Sequence, residues 1–358
     1  MKEVDFIIVG GGLAGCCMAL TLHERGFKVQ VIANETNNCS RVAAGLFNPI
    51  TGKMLTKTWK ADLIFNELYL FYKNAETLLD ANFFHEKRIY RPFNSIEEQN
   101  NWMAQSQEPG LRDFIHQLSV KSIGIDGIHD PFGGILLNKC GFVDTLTFMS
   151  ATKKYFLPKE AWVSNSFNYD ELEILGEERV CYQSYKARSI IFCEGTESLK
   201  NPFFNWVPIR PLKGETLTVQ ADFQQDIILN RGVYAVPQKE KNRFKIGATY
   251  DHKIENQTTT DAARKEIVEK WEAIATKSYQ IIDQNWGLRP TSPDRKPIIG
   301  FHPKKKLLSM VNGLGTKGVS LAPFVSGIFA DKLVNKASNP IYDTMDVSRY
   351  YYLYSKSL

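Results

Sequence analysis

Four apolar residues in a row, Phe6-Ile7-Ile8-Val9, run straight into Gly10-Gly11-Gly12-Leu13-Ala14-Gly15. A short continuous apolar run bounded by glycines is the pattern of a strand buried on both faces. The apolar stretch 16–22 reads as a helix closed near Gly26, and 29–32 as a second strand, which makes a strand–helix–strand opening. Over 57–80, Trp59, Leu63, Phe65, Leu68, Phe71 and Leu78 recur at roughly helical spacing and predict a long helix. Ser95-Ile96-Glu97-Glu98 has the form of a capping box and opens another helix. A further helix follows Asp144 within 142–156, and 189–193 is a short apolar strand ending at Glu194-Gly195. From 214 to 250 the texture changes to alternation, with GETLTVQ, GVYAVPQ, a polar KEKN turn and FKIGATY, which predicts antiparallel sheet with a hairpin. Residues 260–275 read as helix, 307–311 as strand and 319–333 as a last helix after NGLGTKG. The fold class is therefore α/β plus antiparallel β: a doubly wound, Rossmann-like domain interrupted by a sheet domain. The changes of texture put the first domain at 1–82, 141–210 and 291–358, and the interleaved one at 83–140 and 211–290.

Composition adds mainly exclusions. The chain has 358 residues, 43% hydrophobic and 23% charged, an ordinary soluble composition large enough for two domains. The net charge of +5 is too small and too scattered to argue for nucleic acid. Lys304-Lys305-Lys306 and Lys239-Glu240-Lys241 read as solvated turns. The six cysteines form no CxxC pair, so neither a disulfide framework nor a zinc site is expected. MKEVDFIIVG lacks the form of a signal peptide, and no apolar stretch reaches the ~18 residues of a membrane span. A cytoplasmic protein without membrane contact is expected.

The glycine loop carries the first chemistry. In GxGxxG, Gly10 allows a tight turn, Gly12 lets backbone approach a pyrophosphate, and Gly15 lets helix pack closely on strand. With Leu13 and Ala14, it turns a helix N-terminus toward the phosphates. The flanking strand, helix and second strand are the context that this short motif requires. A second strand of this kind normally ends in Asp or Glu, which bonds the adenosine ribose. Here it ends in Ala33, and Asn34 or Glu35 just after is the candidate for that role. In CSRVAAGLFNPITGK (39–53), the small residues around Ala43-Ala44-Gly45 allow backbone to approach a large planar ligand.

Taken in order, these segments resemble the D-amino-acid oxidase superfamily of FAD enzymes and are most similar to glycine oxidase and related secondary-amine oxidases. GGGLAG looks like the dinucleotide loop. SRVAAGL looks like the segment beside the flavin, with Ser40, Arg41, Ala44, Gly45 and Leu46 as its contacts. IIFCEG, with Glu194 and Gly195, looks like the strand closing the FAD domain, and PLKGE like the crossing into the substrate domain. GVYAVP and KIGATY look like that domain's floor, and GLRPTSPDRKPIIG like the return. NGLGTKGVSLAP looks like the loop and helix under the flavin, with Gly313, Leu314, Gly315, Thr316, Lys317, Gly318 and Val319 as contacts.

The resemblance implies FAD, non-covalent because no His or Cys stands where relatives attach it. It implies hydride transfer from a carbon bearing an amine to flavin N5, with hydrolysis of the resulting imine, and a small amino acid or amine as substrate. Arg289 matches the arginine that clamps the substrate carboxylate, and Pro290 biases it toward an extended backbone. Tyr234 matches a tyrosine bordering that carboxylate, and Tyr250 falls where glycine oxidase has a substrate-side residue of another type. Thr316 stands where glycine oxidase has a bulky basic residue, so that pocket wall is either absent or moved to Lys317; Arg231 is a further cation of the chain. IGATYD, DRKPIIG and GTKG also resemble the oxidase half of the bacterial tRNA-modifying enzyme that removes a carboxymethyl group from a wobble uridine. That partner, and a flavin-binding protein without turnover, are the alternatives.

Overall fold

The computed structural model describes residues 1–34, 39–51, 56–254, 256–334 and 339–357. Two large sheets organise it. The first has six strands in the order Trp162–Val163, Val29–Ile32, Phe6–Val9, Ser189–Phe192, Leu308–Asn312 and Ile298–Phe301. The first five are parallel and Ile298–Phe301 closes the sheet antiparallel. All four residues of Phe6–Val9, Val29–Ile32 and Ser189–Phe192 are buried, which is why these strands read as unbroken apolar runs. The Leu13–Glu24 and Gly318–Leu333 helices pack on one another, and both are buried along most of their length.

The Ala61–Leu79 helix starts later than the spacing predicted, because Thr56–Lys57 pairs with Ile50–Thr51 instead. Its buried stripe is Ala61, Ile64, Phe65, Leu68, Phe71, Tyr72 and Ala75, a true 3–4 repeat. Leu63, expected on that face, lies off the stripe and is 47% exposed.

The second sheet has eight strands in the order Tyr279–Thr291, Arg210–Ala221, Arg243–Gly247, Val233–Pro237, Ile228–Arg231, Ile89–Pro92, Gly134–Leu137 and Ile115–Ser119. Neighbours are antiparallel except Ile228–Arg231 with Ile89–Pro92. Its spine is the long pairing that sets Leu212 opposite Arg289 and Gly214 opposite Gly287. The expected Ser95 cap forms, accepting from the Glu98 N–H, and two further caps appear, Asp144 accepting from the Thr147 N–H and Thr260 from the Ala263 N–H. Among the described residues, no helix is long and apolar enough to cross a membrane.

Candidate active site

A cavity of about 2140 Å³ opens between the ends of the parallel strands and the face of the antiparallel sheet. That is roughly twice the upper limit of a drug-sized pocket, ~1,000 Å³, and leaves room for a dinucleotide and a substrate together.

On the parallel side the wall is largely main chain. Gly10 has φ +109°, and a Cβ there would lie 2.3 Å from the Cys193 carbonyl oxygen. A Cβ on Gly15 would lie 1.8 Å from the Gly10 carbonyl oxygen, so the helix is pressed onto the turn. At Gly12 a Cβ would meet only Ser40 within 4 Å, which leaves the start of the Leu13–Glu24 helix open to the cavity. That helix has no side-chain cap and no acid in its first turn. The Gly318–Leu333 helix begins in the same way, beside the first: a Cβ on Gly318 would lie 3.4 Å from Leu13 Cδ1. Two uncapped, electropositive helix ends therefore abut at one cavity, an arrangement suited to a pyrophosphate and to a second anionic group. The Leu13 N–H donates to Ser40 Oγ at 3.2 Å. The 313–319 loop is tied in by the Gly315 N–H, which donates to the Pro290 carbonyl at 2.9 Å.

The lining includes Gly10, Gly12, Leu13, Ala14, Asn34, Ser40, Ala44, Gly45, Leu46, Glu194, Gly195 and all of 313–319. Two expected contacts stand elsewhere. Gly15 is behind the loop, where its closeness to Gly10 makes it a packing position. Arg41 is exposed and the lining passes over it, because the short Cys39–Val42 helical turn presents its neighbours to the cavity instead. Glu35 lies outside the described residues. Asn34 Nδ2 donates to Ser166 Oγ at 3.2 Å.

On the antiparallel side the wall is made of side chains. Arg289 Nη1 donates to the Thr249 carbonyl at 3.1 Å, and its guanidinium lies 5.0 Å from the Tyr250 ring centre. The guanidinium rests on Gly214, where a Cβ would come within 2.0 Å of Nη2. Tyr234 lines the same space, and burial pushes its hydroxyl pKa up, opposed by the charge of Arg289. A Cβ on Gly247 would lie 2.9 Å from that hydroxyl. Tyr250 is 62% exposed at the rim. Arg289, Tyr234 and Tyr250 are thus brought together.

Beneath them lies a buried ion pair, Lys213 Nζ to Glu215 Oε1 at 3.1 Å. Glu215 also accepts from the Thr260 N–H and hydroxyl and from Gln284 Nε2. Its backbone N–H donates to Thr249 Oγ1 at 2.9 Å, fixing the residue whose carbonyl holds Arg289. Lys317 Nζ reaches Thr58 Oγ1 at 3.3 Å and Thr51 Oγ1 at 3.4 Å; burial first, then Arg295, lowers its pKa. Lys245, its pKa lowered by burial, donates to the Val42 carbonyl at 3.3 Å and so braces the 39–46 segment from the second sheet.

The sequence reading passed over Gly214, Glu215, Thr249 and Lys245. Only Gly214 left a signal, since a glycine inside an alternating strand marks a close approach. Among the described residues no group of three or more side chains is set to hold a metal.

A family model described as DAO, FAD dependent oxidoreductase, matches residues 5–332. The chain belongs to this family. It is an FAD-dependent oxidoreductase, and the glycine cradle with its two open helix ends fits FAD. The chain is 23% identical over 374 residues to the bifunctional tRNA 5-methylaminomethyl-2-thiouridine biosynthesis protein of Idiomarina loihiensis, covering 97% of this chain and 59% of that protein. The chain spans about half the length of the curated relatives it matches: 59%, 55% and 46% of three of them. Glycine oxidase from Bacillus cereus superposes with a TM-score of 0.76 at 22% identity, over 95% of this chain and 97% of that one. Iminodiacetate oxidase from Chelativorans sp. superposes with a TM-score of 0.79 at 15% identity, over 95% and 98%. These two structures establish the shared fold, including the parallel sheet and the large antiparallel sheet.

Proposed function

We propose that this FAD-dependent oxidoreductase oxidises the C–N bond of an amino acid or N-substituted glycine, and that Arg289 clamps the substrate carboxylate. The observation that carries this reading is the Arg289 guanidinium on the cavity wall. Among the described residues it contacts a backbone carbonyl and an aromatic face, neither of which neutralises its charge. A planar fork of donors fits a carboxylate in a way that a lysine cannot. Tyr234 keeps its proton and adds an O–H donor beside the fork. Tyr250 covers the guanidinium from the rim and limits water there. Bound FAD supplies the two-electron acceptor for the hydride that leaves the carbon bearing nitrogen. Residues 10–14, Ser40, 44–46, 194–195 and 313–319 hold the cofactor, within a discontinuous FAD domain of 1–82, 141–210 and 291–358. The substrate domain is then 83–140 and 211–290.

Glycine and iminodiacetate, the substrates in the names of the two structural relatives, both carry a carboxylate one carbon from nitrogen. The test is anaerobic bleaching of the flavin by a panel of amino acids, N-substituted glycines and amines without a carboxylate. Bleaching by members that carry the carboxylate supports the proposal, and a response indifferent to it removes the clamp. A second reading is favoured by the similarity to the tRNA-modifying relative over 97% of this chain. There the glycine unit is part of a modified uridine, and flavin reduction by modified tRNA alone would select it.

A further inference from the structure

The parallel sheet departs from the ordinary dinucleotide fold at one point. The second strand, Val29–Ile32, is followed by Ala33, whose methyl group offers the ribose no acceptor. Asn34, whose amide nitrogen donates to Ser166, offers a neutral amide oxygen, a weaker acceptor than a carboxylate. A carboxylate does stand on the same rim, two strands away. Ser189–Phe192 flanks Phe6–Val9 on the side opposite Val29–Ile32. Its end is therefore roughly 10 Å from Ala33, two strand spacings, a gap that a nucleoside bridges.

Glu194 follows that strand almost directly and lines the cavity. Its Oε1 accepts from the Tyr169 hydroxyl at 2.6 Å and its Oε2 from Asn201 Nδ2 at 2.8 Å. Tyr169 is also on the lining, at the end of the 165–169 segment that leaves Trp162–Val163, the strand beside Val29–Ile32. Loops from the two flanks of the strand pair thus meet over the cavity through the Glu194–Tyr169 bond. A carboxylate has about four acceptor positions, and these two bonds use two of them. Among the described residues no cation pairs with it: Lys200, on the same cavity lining, pairs with Glu197 at 2.7 Å. Burial pushes the Glu194 carboxyl up to about 7, against the lowering pull of the Tyr169 and Asn201 hydrogen bonds and with a lesser addition from Glu197. Cys193, the preceding residue, is itself raised, by burial and then by Glu194. A carboxylate kept at such a cost on a cavity wall, with acceptor positions left over, marks a place where a donor arrives.

We infer that Glu194 accepts hydrogen bonds from the adenosine half of FAD, taking the part that a carboxylate at the end of the second strand plays in other dinucleotide folds. The inference rests on the cofactor and not on the proposed substrate.

The test follows FAD release from the holoenzyme on dilution, read by flavin fluorescence, with ADP-ribose added to block rebinding. Glu194→Gln keeps the shape but weakens acceptance. It should lower the affinity for FAD and for ADP-ribose by the same factor, on the order of ten-fold or more for a charge-assisted contact. The melting temperature of the apoprotein should hold or rise, because an unfavourably buried charge is removed. Three results would overturn the inference. In the first, FAD weakens while ADP-ribose does not, which places the contact on the flavin half. In the second, neither affinity changes. In the third, affinity falls only in step with apoprotein stability, which makes Glu194 a structural strut for Tyr169 and Asn201. Glu35→Gln is the companion variant, and a loss confined to it would return the role to the second strand.

Discussion

Around residues 10–15 the cavity wall is main chain, held where it is because several positions admit no Cβ. Around Arg289 the wall is made of side chains on one face of the antiparallel sheet, and the buried Lys213–Glu215 pair lies behind it on the opposite face. The two regions face the same space, yet they fail in different ways. Backbone against backbone cannot give, so errors in the cradle reach the fold. Side chains on a sheet can shift, so errors there reach the chemistry first, unless they expose the ion pair beneath.

The sharpest break of this contrast lies within the glycine loop itself. Gly15→Ala drives a Cβ to 1.8 Å from the Gly10 carbonyl oxygen and should leave no folded protein, as judged by soluble yield and a missing thermal transition. Gly12→Ala adds a Cβ that meets only Ser40 Oγ, at 3.2 Å. It should fold and lose its yellow colour, because the added carbon occupies the approach of the pyrophosphate. If both variants fold equally well, the cradle is not held by backbone contact. Next in size is Glu215→Ala, which leaves Lys213 buried without its anion. A cost of about 3–5 kcal/mol is expected in chemical denaturation, and replacing both members by apolar residues should recover most of it.

The proposed clamp can be tested without touching the arginine. Gly214→Ala places a Cβ 2.0 Å from Arg289 Nη2, the far end of a flexible side chain that can swing away. Stability should change little, while kcat/KM on carboxylate substrates falls about ten- to a hundred-fold, the same as for Arg289→Lys (about 1.5–3 kcal/mol). Amines without a carboxylate should show no such loss in either variant. Equal loss on both classes would make Arg289 a support for the pocket.

The smallest effect concerns pH. His302 is buried beside the edge strand Ile298–Phe301, and burial with Lys305, Lys306 and Lys304 lowers its pKa to about 4. Its Nδ1 accepts from the Lys304 and Lys305 N–H groups, which suits the neutral ring. A base with a depressed folded pKa contributes stability above its ordinary value near 6.5 and loses it as pH falls toward 4. Between pH 7 and 5 the protein should lose about 1–2 kcal/mol in a denaturant titration, and His302→Gln should flatten that slope.

How legible each region was follows from the same physics. A strand, a glycine turn and a helix are local, so residues 6–24 announced their structure and ligand together. The Ser95 capping box was equally local. Arg289 was recognisable only through its resemblance to a family, because the groups that hold its guanidinium, Gly214 and the Thr249 carbonyl, are far away in the chain and are brought to it only by the folded sheet. Glu215 gave no sign at all: an acidic residue in an alternating strand reads as solvent-facing, and its burial depends on Lys213, Thr260 and Gln284 arriving together. Leu63 failed for the opposite reason, since it is apolar but lies off the stripe that tertiary contact selects.

The abutting helix starts at Leu13 and Gly318 also bear on how the protein is born. They lie roughly 300 residues apart in the chain. At elongation rates of about 5–20 residues per second, the first glycine loop leaves the ribosome roughly 15–60 s before the helix that completes its cradle exists. Through that interval the Phe6–Val9 strand lacks the Leu308–Asn312 strand that finishes the parallel sheet beyond Ser189–Phe192. With FAD held as proposed between these two helix starts, its capture is a late event. A nascent chain stalled ahead of Leu308 should hold no flavin, however well its opening strand–helix–strand unit has formed.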